Sequence, residues 1–167
     1  MNKKGFTLIE LIAVIAILAI VMGITLVTTT TGFGNAKKKS ENVFIGTVKD
    51  AINIYIDSSD AKKLNYSKMG CMITKTHGNV SVYKAEITIN DIINSEYSPI
   101  SQGDLVNPSD KDKTCNVGAK ITIYRDDDMV YYYLMERNNL DCLSTCNDND
   151  CKYITNLPDE LVMKGCI

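Results

Sequence analysis

The residues with the clearest potential for chemistry lie at the N-terminus. Lys3, Lys4 and Gly5 lead into an apolar run, residues 6–27, in which Glu10 is the only formally charged side chain. A carboxylate one or two turns into hydrocarbon costs several kcal/mol unless it finds a cation or stays near the interface. This pattern predicts that Glu10 pairs with a positive group.

The apolar run must be positioned by a helix. About 20 residues at roughly 1.5 Å each cross a bilayer core, so residues 6–27 are predicted to be transmembrane. A secretory signal peptide fits poorly, because residues 27–31 are Val-Thr-Thr-Thr-Thr and offer no cleavage site of small residues. A lipoprotein signal fits poorly as well, because the first cysteine is Cys71. A plain membrane anchor remains open, although it leaves Glu10 unexplained.

Residues 3–24 resemble the type IV pilin and pseudopilin family, whose N-terminal motif is a basic leader, a glycine and then F-T-L-I-E. The resemblance implies that residues 1–5 are a leader, removed after Gly5 by a membrane-embedded prepilin peptidase. The same enzyme would methylate the new amino group of Phe6. In a filament, Glu10 would neutralise the N-terminal ammonium of an adjacent subunit.

The resemblance also implies an α+β, pilin-like fold. A long N-terminal helix would pack against a small antiparallel sheet, followed by a disulfide-stapled C-terminal loop region. The expected organisation is a leader (1–5), a transmembrane half-helix (6–27), its amphipathic continuation (28–57) and an extracytoplasmic globular domain (58–167).

Periodicity independently predicts an amphipathic helix over residues 35–57. Its apolar stripe comprises Phe44, Val48, Ala51, Ile52 and Tyr55, and Lys38, Glu41, Asn42, Lys49, Asp50 and Asn53 fill most of the polar remainder. If this helix continues the apolar run, the two form one rod on the order of 78 Å long. The basic cluster at 37–39 is interpreted as a solvated helix face.

Within residues 58–167 the clearest pattern is a hairpin. Segments 120–124 and 129–135 are rich in Ile, Val, Thr and Tyr, and an Arg-Asp-Asp-Asp turn separates them. The sheet is predicted to be antiparallel and to pack on the amphipathic helix, with Ile121 and Ile123 on one face. A strand at 80–85, turns at 70–71 and at the end of 103–108, and a helix at 88–95 capped by Thr88 are also predicted.

Six cysteines fall in the same part of the chain: Cys71, Cys115, Cys142, Cys146, Cys151 and Cys166. An even number in a small extracytoplasmic domain favours disulfides. The resemblance implies that Cys166 pairs with Cys142, Cys146 or Cys151, which leaves Cys71 with Cys115. A zinc site using His77 is a weaker alternative, because the spacing lacks a tight C-x2-C pair. Calcium at the acidic segments 126–128 and 147–150 is also weaker than solvated turns, because EF-hand spacing is absent.

Composition narrows the function further. A chain of 167 residues with net charge −2 and one histidine has room for one modest domain and is a poor general binder of nucleic acid. No G-x-S-x-G, H-E-x-x-H or C-x-x-C pattern is present, so neither an enzyme nor a cofactor is expected.

The predicted function is therefore structural: a subunit of a type IV pilus or of a type II secretion or competence pseudopilus. The implied partners are prepilin peptidase, other pilin subunits, a membrane platform protein, a cytoplasmic assembly ATPase and the lipid bilayer, with nucleic acid only for a competence pilin. The N-terminus would be cytoplasmic and the domain extracytoplasmic, on the cell surface after assembly. The alternative is an anchored adhesin or DNA-binding domain that uses the N-terminus only for delivery.

Overall fold

The computed structural model describes residues 8–75, 78–146 and 149–158. The chain divides into two compact units, Met1–Ser40 and Glu41–Ile167, and each is described by itself. Helix α1, Leu8–Asp57, contributes residues to both units. The helix predicted at 35–57 is therefore confirmed as part of α1.

The first unit consists, in its described part, of the N-terminal portion of α1. Every side chain from Leu8 to Ile20 is exposed in the single chain. Within the described residues, no helix combines the length and the hydropathy that crossing a membrane requires.

The second unit contains the end of α1 and a series of short helices and strands. In chain order these are α2 (Ser59–Lys62), β1 (Ser67–Lys75), β2 (Gly78–Thr88), α3 (Ile89–Ile93), a 3₁₀ turn (Gln102–Asp104), β3 (Val106–Asn107), β4 (Asp110–Thr114), β5 (Lys120–Asp126), β6 (Tyr131–Glu136), a second 3₁₀ turn (Arg137–Leu140), α4 (Asn149–Lys152) and β7 (Tyr153–Thr155).

Five strands form one sheet in the order β1-β2-β5-β6-β7, and each neighbouring pair is antiparallel. The predicted hairpin is confirmed as β5 and β6, with Ile123 opposite Tyr133. The strand predicted at 80–85 lies within the longer β2. A separate two-stranded sheet joins β3 to β4 through the predicted turn at the end of 103–108.

The main core lies between one face of the sheet and the end of α1. Its members share nearly complete burial and include Val48, Ala51, Ile52 and Tyr55 from the helix, with Ile121, Ile123, Tyr133 and Met135 from β5 and β6. The predicted stripe and the shared face of Ile121 and Ile123 are thus confirmed, except that Phe44 is only half-buried. Complete burial of one such side chain contributes about 1.5–3 kcal/mol, so this stripe fixes the sheet on the helix.

Helix α3 begins as predicted. Asp91 Oδ2 accepts hydrogen bonds from Thr88 N and Thr88 Oγ1, both at 2.7 Å, and Asp91 N donates to Thr88 Oγ1 at 3.4 Å. This reciprocal capping satisfies donors that the first turn of a helix leaves open. Helix α3 ends two residues earlier than the predicted segment.

Two sequence predictions about this unit are wrong. Residues 70–71 do not form a turn; they lie inside β1, where the pairing with β2 is irregular between Lys68 and Met72. A bulge tolerates glycine and an extra residue without ending the strand. The C-terminal tail is not only a loop either, because β7 pairs with β6.

Candidate functional site

The residues predicted to be processed stand at the N-terminus. Gly5 and Phe6 lie outside the described residues, so cleavage and methylation there remain predictions. Glu10 lies in the first turn of α1 and is exposed. Its pairing with a neighbouring subunit also remains a prediction.

An apolar surface surrounds Glu10. The large exposed apolar side chains of this region are Leu8, Ile9, Leu11, Ile12, Val14, Ile15, Ile17, Leu18, Ile20 and Met22. Their exposed fractions run from 77% at Leu8 to 47% at Val14. A contiguous exposed apolar surface of this kind marks a site of association with protein or lipid. The described start of α1 therefore places one carboxylate within a surface suited to association.

A second carboxylate of α1 has the opposite environment. Glu41 is 2% exposed, and Arg137 Nη2 donates to Glu41 Oε2 at 2.6 Å. Ser144 donates to Glu41 Oε1 from its hydroxyl at 2.8 Å and from its backbone N–H at 3.2 Å. The placement of Glu41 on the polar side of the helix is therefore wrong. Its position three residues before Phe44 and seven before Val48 is the signal that places it on the buried stripe.

The disulfides differ from those implied by the resemblance. The structure contains Cys115–Cys142, with Cα atoms 4.7 Å apart, and Cys146–Cys151, with Cα atoms 6.0 Å apart. The pairing of Cys71 with Cys115 is therefore wrong. The pairing of Cys166 with Cys142, Cys146 or Cys151 is wrong too, because those three are bonded elsewhere. Cys166 itself lies outside the described residues.

Backbone hydrogen bonds account for the first of these bonds. Cys115 N donates to Leu105 O and Asn116 N donates to Leu140 O, both at 2.8 Å. The first bond joins the segment after β4 to the residue before β3. The second holds the same segment beside the end of the second 3₁₀ turn, two residues before Cys142, so Cys115 meets Cys142. Cys71 lies instead in β1, an edge strand of the larger sheet.

The loop formed by residues 142–146 is held by side-chain hydrogen bonds as well as by disulfides. Asn107 Nδ2 donates to Cys142 O at 2.6 Å. Asn138 binds the backbone of Cys146 twice, accepting from its N–H and donating to its C=O, both at 3.2 Å. Ser144 in turn contacts Glu41 of α1. Together these bonds hold residues 142–146 against β3, the second 3₁₀ turn and α1.

The acidic segment 126–128 is neutralised by the protein itself. Lys75 Nζ lies 2.6 Å from Asp126 Oδ2 and 2.8 Å from Asp128 Oδ2. These two hydrogen bonds raise the pKa of Lys75. Asp127 accepts the backbone N–H of Ser81 at 2.8 Å, and this bond lowers the pKa of Asp127. A lysine thus occupies the place that the calcium hypothesis gave to a metal.

The cysteines of the zinc hypothesis are not available to bind a metal. The three cysteines of its spacing, Cys142, Cys146 and Cys151, are all in disulfides, and His77 lies outside the described residues. Across residues 8–75, 78–146 and 149–158, no group of three or more His, Cys, Asp or Glu side chains is arranged to hold a metal ion.

Surface grooves among the described residues of the domain include the following pair. The first, about 530 Å³ in volume, is lined by Ile54, Asp57, Ser58, Ser59 and Tyr97, and Tyr97 is 61% exposed. The second, about 410 Å³, is lined by Asn116, Gly118, Ala119, Lys120, Asn138, Asn139 and Asp141. Both grooves are shallow and open to solvent.

Comparison with known proteins gives a match at the N-terminus of the chain. Residues 1–26 match the prokaryotic N-terminal methylation motif. No curated protein and no solved structure matches the chain significantly. This motif is the N-terminal signature of type IV pilins and pseudopilins, and the match covers 26 of the 167 residues of the chain.

Proposed function

We propose that the mature chain is a structural subunit of a type IV pilus or of a type II secretion or competence pseudopilus. The observation that carries the proposal is the methylation motif at residues 1–26, with Glu10 as the only formal charge of the apolar run that follows the leader. Cleavage between Gly5 and Phe6 removes Lys3 and Lys4 and creates a new amino terminus. Methylation of that nitrogen leaves it a cation.

The new cation gives Glu10 its partner. An ammonium and a carboxylate are each costly in a low-dielectric environment, and pairing them offsets much of that cost. Because Glu10 is four residues from Phe6 in its own chain, pairing with the Phe6 nitrogen of an adjacent subunit defines an axial offset between subunits. The exposed apolar side chains around Glu10 then pack against other subunits, or against lipid before assembly.

The domain supplies the filament surface in this proposal. Two disulfides within residues 115–151 suit an oxidising, extracytoplasmic location. Prepilin peptidase processes the N-terminal segment before assembly. A membrane platform protein and a cytoplasmic ATPase then drive assembly of the filament. The precursor is held in the bilayer with its N-terminus in the cytoplasm.

A ligand-binding role for the domain is the second candidate, and one observation favours it. The groove beside Ile54 is lined by the exposed Tyr97 together with Asp57, Ser58 and Ser59. Binding residues of adhesin and DNA-binding domains are often on exposed connecting segments, and Ser58 and Tyr97 of this groove lie in such segments. Retention of DNA or surface binding by a chain that cannot assemble would favour this role.

The deciding experiment is intact-mass measurement and N-terminal peptide mapping of the chain from its native membrane. A chain beginning at N-methylated Phe6 supports the proposal. A Gly5→Val variant is the matched control, because a β-branched residue at the cleavage position hinders cutting and should leave Met1 as the first residue. Wild-type chain that begins at Met1 in cells with an active prepilin peptidase would overturn the proposal.

A further inference from the structure

Four side chains form a row across the larger sheet, near the end of β5. Lys68 of β1 lies opposite Tyr83 of β2. Tyr83 lies opposite Arg125 of β5, which in turn lies opposite Tyr131 of β6. Residues directly opposite each other share a face of the sheet. Arg125 is two positions from Ile123, so this set, the cross-strand row, lies on the face that carries the main core.

The guanidinium of Arg125 packs on two aromatic rings. Its Cζ atom lies 4.7 Å from the centre of the Tyr66 ring and 5.2 Å from the centre of the Tyr83 ring. Tyr66 Oη donates to Ala61 O at 2.9 Å, and this bond fixes the position of the first ring. A guanidinium held at ring faces keeps the N–H groups of its own plane available for hydrogen bonds.

Arg125 has no carboxylate within ion-pair distance among the described residues. The three carboxylates that follow it, at 126–128, are bound instead by Lys75 and by the backbone N–H of Ser81. The other arginine of the chain, Arg137, is by contrast paired with a buried carboxylate. A half-buried guanidinium is therefore held on the core face of the sheet with its charge not neutralised by the described part of the domain.

Two donor groups of the row are also buried without partners. Arg125 Nε and Tyr131 Oη are inaccessible to solvent, and within the described residues neither makes a hydrogen bond. They belong to directly opposite residues of β5 and β6. A buried donor that is left unbonded costs free energy, and the outer nitrogens of the guanidinium carry further donors. The row thus combines a positive charge with several donors to which no acceptor is bound.

These features fit a negatively charged, planar acceptor. We propose that the cross-strand row binds a carboxylate, and that this carboxylate is an acidic side chain of a second copy of the chain. The fork of an arginine matches both oxygens of a carboxylate. Lys68, which is exposed, adds a second positive charge to the row.

The choice of a second copy rests on the proposed function. Subunits of a helical filament meet through two different patches, because a head-to-tail contact does not close on itself. The chain has 20 acidic and 18 basic side chains, and removal of the leader takes two lysines away, so a basic patch on one copy has abundant acidic complements on another. An acidic chain is a poor general partner for nucleic acid.

A partner surface also suits the location of the row. Neither of the two grooves described above includes any of its residues. A free small ligand relies on a concave pocket to bury most of its surface. An acidic side chain carried on a neighbouring domain brings its own covering surface to the row.

The first measurement tests the site on the full chain in mild detergent. Because the chain has two arginines, Arg125 and Arg137, its nitrogen-15 NMR spectrum contains two side-chain Nε–H signals, and Arg125→Lys identifies one of them by its loss. We expect sodium acetate to shift the Arg125 signal saturably and to leave the Arg137 signal in place. Sodium chloride at equal ionic strength should produce a much smaller shift. Equal responses to the two salts, or no response, would overturn the site.

The second measurement tests the partner. Arg125→Lys keeps the positive charge but removes the fork, so the yield of filaments should fall while urea unfolding of the domain stays close to that of the wild type. Lys84→Gln is the matched control. Lys84 is an exposed cation of β2 that follows Tyr83 and points to the opposite face, and this variant should assemble normally.

Normal filament yield for Arg125→Lys would overturn the second copy as the source of the carboxylate. The site and the proposed function can also fail separately. Acetate titration requires neither processing nor assembly, whereas N-terminal mapping reports processing alone. An unprocessed chain whose Arg125 signal responds to acetate would retain the carboxylate site and would overturn the second copy as its partner.

Discussion

Two parts of α1 differ in how far their apolar side chains are exposed to solvent. From Leu8 to Ile20 every side chain is exposed, whereas Val48, Ala51 and Ile52 near the other end are at most 1% exposed. The two parts differ in sequence pattern as well. The first is apolar on all sides, and the second has one apolar stripe with polar residues opposite.

This difference in exposure and sequence pattern indicates that the two parts of α1 have different roles. A single stripe is the pattern of a helix that a domain covers on one side, and apolar residues on all sides are typical of a helix surrounded by protein or lipid. The end of α1 thus stabilises the fold of its own chain. The start of α1 is suited to association with other molecules.

The sharpest test of this comparison removes the charge of Glu10. We expect Glu10→Gln to abolish filament assembly, because the cationic terminus of a neighbouring subunit then has no anion within the apolar surface. Unfolding of the domain in urea should be unchanged. Electron microscopy and shearing of surface filaments measure assembly, and tyrosine fluorescence follows unfolding.

Lys39→Gln is the control for Glu10→Gln. It also removes one charge from an exposed position of α1, and the interpretation of residues 37–39 as a solvated face predicts normal filaments. Assembly by Glu10→Gln at the wild-type level would remove Glu10 from the proposed contact.

Glu41 tests the opposite region. Glu41→Ala leaves Arg137 buried without its carboxylate partner and removes the acceptor of both hydrogen bonds from Ser144. Loss of one member of a buried pair costs about 3–5 kcal/mol, so the free energy of unfolding should fall by that amount. Urea denaturation of the full chain in detergent measures it.

Glu86→Ala is the matched control for Glu41→Ala. Glu86 faces Lys120 at 3.8 Å in an exposed pair, and such pairs contribute about 0–1 kcal/mol. A double variant, Glu41→Leu with Arg137→Met, should recover much of the loss, because apolar residues fill the same space without an unpaired charge. Equal losses for Glu41→Ala and Glu86→Ala would refute a special role for the buried pair.

Much of the domain could be predicted because its signals are local. Alternating Ile and Thr in β5 fix which side chains share a face, and the Thr88 to Asp91 spacing is sufficient to start α3. The stripe through Val48 and Ile52 follows from helical periodicity alone. At the N-terminus the processing motif is equally local, and residues 1–26 match it.

The remainder depends on contacts between distant residues. Glu41 and Arg137 are 96 positions apart, and polarity alone placed Glu41 in solvent. The partner of Cys115 is determined by the backbone bond from Asn116 to Leu140, which aligns the two segments and which no spacing of cysteines encodes. Strand β1 was missed because Gly70 reads as a turn residue, although in an antiparallel ladder it sits within a bulge.

Three isoleucines of α1 give a graded version of the same comparison. Ile52 is 0% exposed, Ile54 is 41% exposed and Ile12 is 52% exposed. Ile52→Ala should lower the free energy of unfolding by about 2–5 kcal/mol, because it removes a side chain from a closed core. Ile54→Ala should cost less than about 1 kcal/mol. Urea denaturation of the three variants in one detergent provides the comparison.

Ile12→Ala completes the series, since it removes the same atoms from the other region. It should leave domain unfolding unchanged and reduce the yield of filaments. A loss of domain stability as large as that of Ile52→Ala would contradict the division of α1 into an associating part and a folding part.

The smallest expected effect is on the stability of the domain at low pH. The backbone N–H of Ser81 favours the ionised form of Asp127, so the pKa of Asp127 is lower in the folded than in the unfolded chain. Such a group contributes stability that is fully present above its unfolded pKa, about 3.9, and is lost as the pH falls through the folded value. We therefore expect the urea midpoint to fall modestly below about pH 4, and Asp127→Asn to reduce that fall.

Asp57→Asn is the control for Asp127→Asn, because Asp57 is an exposed acid at the end of α1 and should retain the wild-type fall. The hydrogen bond of Asp127 joins the β5–β6 turn to β2, entirely within the domain. Its loss should therefore act on domain unfolding and leave filament yield at neutral pH unchanged. If Asp127→Asn and wild-type midpoints fell in parallel with pH, the bond to Ser81 would have no part in the acid response.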